Sequence, residues 1–497
     1  KWSFYRMKYE VVIGLEVHSQ LLTASKMFCS CNAQYQGSEP NSVVCPVCMG
    51  MPGTLPVVNV KAVELAIATG LALKCEIDGR TKFDRKNYPY PDLMKGYQIS
   101  QYDKPIASSG VLEIQVGGFT KSIRINRVHM EEDVAKLTHS QLDGSSSYSL
   151  LDINRAGIPL MEIVSEPDLR TPEEAREYLI SLRSILQYIN VSTANMEEGN
   201  FRCDANISLK EFSDEELGPK VEIKNMNSFK AVYEALQFEI KRQTKLKDSG
   251  DRILSETRGW VEEQGVTVSQ RSKEEIADYR YFPEPDLPPV EIDSGLIDRI
   301  NNQLPELPSV KKKRFTEEYK LNDYDAEMII SSKQNAEYFE SVMATKVLGK
   351  EDKVVYAKNV ANWIIGDLSK LLDQKGESFL DLKFTPQSFF NLMESIISGK
   401  FSNAIGKKVF LEMSKSGKNP TEIAKLQGLV QVSDVSIIKS AINGVLDQNP
   451  QSVSDYLDGK LNVIRFLVGQ VMKETKGKVN PQKTTDLLQE KLESLKK

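Results

Sequence analysis

Four cysteines carry the sharpest chemical signal in this 497-residue chain. Cys29-Ser30-Cys31 and Cys45-Pro46-Val47-Cys48 are two close pairs with thirteen residues between them. Short turns of this kind let both sulfurs of a pair face one ion, and four thiolates match a tetrahedral zinc site. With every ligand supplied by protein, no position remains for water, so a zinc ion held by Cys29, Cys31, Cys45 and Cys48 is expected to be structural. Cys75 and Cys203 have no such spacing and read as ordinary small residues.

A second set of residues suits a harder cation. The chain has only three histidines, and two of them sit beside carboxylates. Glu16 and His18 alternate with Leu15 and Val17, so their side chains share one face of a strand. His129 and Glu131 repeat that spacing in His129-Met130-Glu131-Glu132-Asp133, and Met196–Asn206 adds Glu197, Glu198 and Asp204. Carboxylates with an occasional imidazole fit Mg²⁺, which takes a few protein oxygens together with substrate phosphate. One His–Glu pair is ordinarily structural; it is the recurrence that points to metal. The chain has no G-x-x-x-x-G-K-[ST] loop and no G-x-G-x-x-G, so any ATP is held by another architecture. Gly144-Ser145-Ser146-Ser147 has only His139 nearby and reads as a loop rather than a nucleophile.

The elements that must position these groups follow from periodicity. Val11–Val17, Leu112–Gly117, Lys121–Val128, Asn206–Leu209 and Val221–Lys224 read as strands. Val60–Leu73 and Asn227–Lys247 have helical apolar spacing. Thr171 caps a helix that starts at Pro172 and runs to about Asn190, with Glu173 and Glu174 in its first turn. Strands with inserted helices predict an α+β domain on a largely antiparallel sheet. Four prolines in Tyr281–Pro289 close that domain, and the chain beyond is helix-forming. Pro308 opens a helix whose Lys311, Lys312, Lys313 and Arg314 read as a solvated face. A last helical block is punctuated by Asn449-Pro450 and Asn480-Pro481. The predicted divisions are residues 1–292, 293–405 and 406–497.

Composition excludes several classes. With 27% charged and 40% hydrophobic residues the chain is neither disordered nor collagenous. Its net charge of −5 argues against a general nucleic-acid binder, so any RNA contact is local. Residues 406–497 carry 15 basic and 10 acidic residues, a net of +5, which leaves −10 on the rest. A basic tail on an acidic body suggests an anionic partner. No apolar run reaches the roughly 20 residues of a membrane span, and no secretory leader is expected. Lys1–Arg6, ahead of Met7, read as an upstream extension without a role. The unpaired cysteine pattern fits a reducing cytoplasm.

Longer motifs carry a resemblance over nearly the whole chain. They include Gly14–His18 (GLEVH), Cys45–Val57 (CPVCMGMPGTLPV), Lys86–Tyr102 (KNYPYPDLMKGYQISQY) and His129–Lys136 (HMEEDVAK). Ile153–Asp168, Met196–Ser208, Val221–Phe229, Asp278–Pro289 and Phe466–Pro481 continue the series in order. With these motifs the chain closely resembles the GatB family, the B subunits of aspartyl/glutamyl-tRNA amidotransferases. The resemblance implies a glutamine synthetase-like cradle, a helical domain and an all-α tail that binds tRNA. It implies a heterotrimer with an amidase (A) subunit and a small (C) subunit, acting on mischarged Glu-tRNA(Gln) or Asp-tRNA(Asn) with ATP, Mg²⁺ and structural Zn²⁺. Carried over by position, Glu16, His18, Glu131 and Glu132 match the family's Mg²⁺ and catalytic region, with His129 and Asp204 as further members. Lys86, Tyr88, Lys95, Tyr97, Arg155, Asn200, Arg202, Lys224 and Asn227 are the candidates for ATP and substrate contacts. The family often has histidine where this chain has Ala277, so no catalytic imidazole is expected there.

Two other readings remain at this point. A ligase for a free amino acid would not need a basic helical tail. A zinc-containing RNA-binding protein would not need acidic clusters, which repel phosphate unless a cation intervenes.

Overall fold

A computed structural model describes residues 8–141, 147–272, 279–429, 435–475, 479 and 481–495. Lys1–Arg6, Gly144–Ser146, Ala277, Asp278 and the Lys476–Lys478 stretch of the tail motif lie outside the described residues. The chain divides into two compact units, Lys1–Pro308 and Ser309–Lys497.

The first unit is built on a nine-stranded sheet. Its spatial order is Val266–Ser272, Glu256–Val261, Val221–Met226, Phe201–Glu211, Tyr9–Gln20, Pro159–Ser165, Phe119–Glu132, Ala107–Val116 and Glu76–Ile77. Every neighbouring pair is antiparallel except Val221–Met226 with Glu256–Val261. That parallel pair needs a crossover, and the helix Phe229–Ser249 supplies it. The architecture is α+β, as the sequence pattern predicts.

Alternation decides which face each strand buries. Val11, Ile13, Leu15 and Val17 of the Tyr9–Gln20 strand enter the core, with Met161, Ile163, Cys203, Ala205 and Ile207 from its neighbours. The helices Val60–Ala72, Pro172–Tyr188 and Phe229–Ser249 contribute Leu65, Ile67, Leu179, Leu182, Val232 and Leu236 to the same core. Thr171 caps the second of these by accepting from the Glu174 N–H, and Ser228 caps the third by accepting from the Ala231 N–H. The residues between the core positions, Glu16, His18, Glu162, Arg202 and Asp204, therefore face the other way.

The Phe119–Glu132 strand changes phase part-way along. Ile123 and Ile125 are in the core, and so are Val128 and Met130. A register irregularity opposite Val164 and Ser165 accounts for the switch. The bulge re-aims the end of the strand, so that Arg127, His129 and Glu131 leave the core side and join the open face. The strand Pro159–Ser165 was not among the predicted strands; its Pro159 and its nearly continuous apolar run hide a period of two.

The second unit is helical throughout its described residues. Phe315, Phe339, Phe384, Phe389 and Phe410 are buried there. The helix Pro308–Glu318 does not carry the fully solvated basic face expected of it. Lys311 is buried and ion-paired with Glu340, Lys312 pairs with Asp323 and Glu327, and Arg314 pairs with Glu340 and Glu318; only Lys313 stands well exposed. Gly406 falls inside the helix Asn403–Ser416, whose Val409, Phe410 and Met413 are buried. A separate apolar cluster holds Ile438, Ile442, Leu467, Val471, Leu488 and Leu492 together. Two of its helices begin at Pro450 and Pro481.

Candidate active site and thiolate centre

Cross-strand register assembles the open face of the sheet into rows. Asp204 lies opposite Glu16, Arg202 opposite His18, His18 opposite Glu162, Glu162 opposite His129, and Leu160 opposite Glu131. Directly opposed residues point to the same side, so four strands deliver one acidic and imidazole-bearing patch. It floors a cavity of about 370 Å³ lined by Glu16, His18, Lys86, Glu131, Glu162 and Lys224 among others. An adjoining cavity of about 350 Å³ shares His18, Lys86, Glu131, Asp204 and Lys224 and adds Tyr88, Arg202 and Asn227.

At the centre, ligand atoms of His18, Glu131 and Glu162 lie within 4.8 Å of one another. Glu162 lies 3.3 Å from His18 Nε2 and 3.2 Å from His129 Nε2. Glu131 accepts from Ser100 Oγ at 2.8 Å and Gln98 Nε2 at 3.1 Å, with Lys86 Nζ at 3.7 Å. Burial pushes the Glu131 carboxyl upward, but Lys86 and His129 outweigh it and bring the pKa down to about 2. Burial likewise opposes ionisation of Glu162, and the two imidazoles hold it well below the carboxylate range. His129 is raised to about 9, because Glu162 and Glu131 overcome its burial. Two ionised carboxylates beside an imidazole form a hard donor set of the kind Mg²⁺ accepts. The buried His129 Nδ1 lacks a hydrogen-bond partner, and the cations Lys86, Lys224, Lys220 and Arg127 line the same space. The residues therefore fit a cation together with an anionic substrate.

The structure sorts the predicted residues. Glu16, His18, His129, Glu131, Asp204, Lys86 and Lys224 share the first cavity, and Tyr88, Arg202 and Asn227 the second. Glu16 accepts from Asn206 Nδ2 at 2.7 Å and lines the wall beside the central three. Asp204 pairs with Lys224 at 2.6 Å. Glu132 does not join this group. It follows Glu131 directly, so alternation sends it to the opposite side, where it meets Lys95 at 2.5 Å and the Ile99 N–H at 3.0 Å. Glu132, Lys95 and Tyr97 line a different cavity of about 230 Å³ beside Cys29 and Cys48. Arg155 donates to the carbonyls of Val134 and Ala135, and Asn200 is spent on Thr193 and Glu198. Both brace loops and line none of these cavities.

Glu162 is the central residue that sequence reasoning missed. Its signal was a lone acid inside the apolar run Pro159–Ser165, a position that costs free energy unless the charge has partners.

Asp133 closes the far side. It is buried, accepts from Gln20 and Arg202 at 2.8 Å each, and lies 3.7 Å from Arg155. Burial raises its pKa, but Arg202 and Arg155 win and lower it. A depressed carboxyl adds stability above its unfolded pKa, and that stability is lost as pH falls through the folded value. Urea unfolding of Asp133→Asn should therefore show lower stability than wild type at neutral pH and a gap that narrows below about pH 4. An unchanged gap would remove Asp133 from the acid response.

The four predicted cysteines also converge: the sulfurs of Cys29, Cys31, Cys45 and Cys48 lie within 4.8 Å of one another. Cys45 and Cys48 sulfurs are 3.9 Å apart, near the edge of about 3.8 Å expected for a tetrahedron with metal–sulfur bonds of about 2.3 Å. The Cys45 N–H points to Cys48 Sγ at 3.2 Å. A hydrogen bond from the Cys29 thiol brings Cys48 down to about 4 against its burial, with help from the Cys45 N–H and Lys26. This set fits a structural metal ion. Among the described residues no helix is long and apolar enough to cross a membrane.

Comparison with known proteins covers both units. The family described as GatB/GatE catalytic domain matches residues 11–298, and a GatB domain matches residues 327–492. A protein of Dehalococcoides mccartyi is 53% identical over 488 residues, spanning 98% of this chain and 99% of its own length. One from Carboxydothermus hydrogenoformans is 50% identical over 488 residues, spanning 98% and 100%. Another from Caldicellulosiruptor saccharolyticus is 47% identical over 495 residues, with the same coverage. All three are named as the B subunit of aspartyl/glutamyl-tRNA(Asn/Gln) amidotransferase.

Proposed function

The chain belongs to the GatB/GatE family, and on that footing we propose that it is the B subunit of a glutamine-dependent aspartyl/glutamyl-tRNA(Asn/Gln) amidotransferase. It works in the cytoplasm with an amidase (A) subunit and a small (C) subunit. Its substrates are ATP and mischarged Glu-tRNA(Gln), Asp-tRNA(Asn) or both. The observation that carries this reading is the convergence of His18, Glu131 and Glu162 with Lys86 and Lys224 around one cavity.

The residue types follow from the reaction. A carboxylate is a poor electrophile. Transfer of the γ-phosphoryl group of ATP to the side-chain carboxylate of the aminoacyl group gives an acyl phosphate with a good leaving group. Ammonia from the amidase partner then attacks the carbonyl and displaces phosphate, leaving the amide. A Mg²⁺ ion held by His18, Glu131 and Glu162 would neutralise charge on the phosphate oxygens. Lys86 and Lys224 line the same cavity and would bind and orient those oxygens. No covalent protein nucleophile is required. Cys29, Cys31, Cys45 and Cys48 hold a structural Zn²⁺ away from this chemistry.

ATP hydrolysis by the assembled heterotrimer tests the proposal. It should rise with mischarged tRNA and not with free glutamate or uncharged tRNA. Stimulation by free glutamate would favour the small-molecule ligase instead. No hydrolysis under any condition would favour an RNA-binding role.

The basic tail is assigned to tRNA. Because Gly406 lies within a packed helix and the last apolar cluster starts at Ile438, the informative deletion begins at Val435. Removing residues 435–497 should raise the KM for mischarged tRNA several-fold while glutaminase activity persists. The difference should shrink as salt rises, since phosphate contacts are screened. An unchanged KM would take tRNA binding away from these helices.

A further inference from the structure

Lys26 is completely buried. Its Nζ donates to the Val43 carbonyl at 2.9 Å and reaches Cys48 Sγ at 3.7 Å. Among the described residues no carboxylate lies within ion-pair distance of it. A lysine ammonium enclosed with one carbonyl and one sulfur lacks the anionic partner that burial ordinarily demands. Its backbone belongs to the same centre: the Lys26 N–H donates to the Cys31 carbonyl at 2.9 Å, and Ser25 bridges to Asn32. One residue thus ties the first cysteine pair through its main chain and the second through its side chain.

The thiolate centre has the complementary need. Four thiolates around a divalent ion carry a net double negative charge. Inside a protein such a charge requires N–H donors and a cation close by. The Cys45 N–H already serves Cys48 at 3.2 Å. Gly157 packs against the Lys26 stem and Cys48 Cβ, and its φ of +82° is a conformation that glycine adopts without strain.

We infer that Lys26 is a positioning residue for the metal, acting as counter-charge and N–H donor to the Cys48 sulfur. The inference rests on the reading of the four cysteines as a zinc site. Lys26 sets how tightly the ion is held rather than touching it.

The test is zinc affinity of the full chain, measured by competition with a chromophoric chelator, in wild type, Lys26→Met and Lys26→Gln. Met removes charge and donor, whereas Gln keeps an N–H without the charge. Zinc should bind Lys26→Met about 10–100-fold more weakly, the range for loss of an outer partner of a ligand, with Lys26→Gln between it and wild type. Cobalt substituted for zinc should show an altered thiolate charge-transfer band in both variants. Equal zinc affinity in Lys26→Met and wild type would overturn the inference while leaving the zinc site standing. Wild-type protein that takes up no zinc would overturn both. If Lys26→Met fails to fold, refolding with excess zinc decides: rescue supports a weakened metal site, and no rescue means that Lys26 only fills space.

Discussion

Replacing Glu131 by Gln in the assembled complex should lower tRNA-dependent ATP hydrolysis and amidation together by about 10²–10³-fold, and Glu162→Gln should do the same. The substitution keeps shape and removes charge. At Glu131 it strips the counter-charge from Lys86 and His129, and at Glu162 from His18 and His129. In the proposed reaction both steps go through the acyl phosphate, so both activities should fall together, whereas glutaminase activity, assigned to the amidase partner, should keep at least a basal rate. Glu16→Gln should be milder, because Glu16 is satisfied by Asn206 and stands beside the central three. Normal phosphorylation with a failure confined to the ammonia step would sink the assignment of these carboxylates to the cation. Calorimetry of Mg²⁺ binding on the same variants separates lost cation affinity from a chemical defect.

Changing Cys45 and Cys48 together to Ser should release the metal and destabilise the first unit by on the order of 4 kcal/mol or more. The cluster links the chain around Ser25–Asn32 to the Cys45–Met51 turn, and the Met27 and Gly157 backbones meet behind it at 2.7 Å. Loss of the metal proposed for this centre should free the segment that it would hold. Elemental analysis and thermal unfolding read the two effects separately. Cation binding at His18, Glu131 and Glu162 should change only indirectly, because those residues lie on the open sheet face. Full-length, reduced, chelator-free wild type without zinc would count against the site, and so would a stable double variant.

The sequence alone determined what depends on local spacing. Two cysteine pairs on short turns match the ligand spacing of a tetrahedral zinc site, so the convergence of Cys29, Cys31, Cys45 and Cys48 was expected from the sequence. Period-two alternation placed Glu16 and His18 on one face, and caps and prolines set the starts of helices at Pro172, Pro450 and Pro481. Which strands lie side by side was not readable, because pairing between Tyr9–Gln20 and Pro159–Ser165 spans well over a hundred residues of chain. That pairing brings Glu162 to His18, and the pairing of Pro159–Ser165 with Phe119–Glu132 brings Glu131 to join them. A run such as Glu131-Glu132 looks like one doubly charged site in sequence, yet the pleat sends the two carboxylates to opposite faces. The phase change after Ile125 was written in the spacing of Ile123, Ile125, Val128 and Met130, but only the bulge opposite Val164 gives it meaning. Metal chemistry was therefore legible where ligands are close in sequence. Where the ligands come from separate strands, register between distant segments decided the site, because it is the packing of the whole sheet that sets which side chains meet.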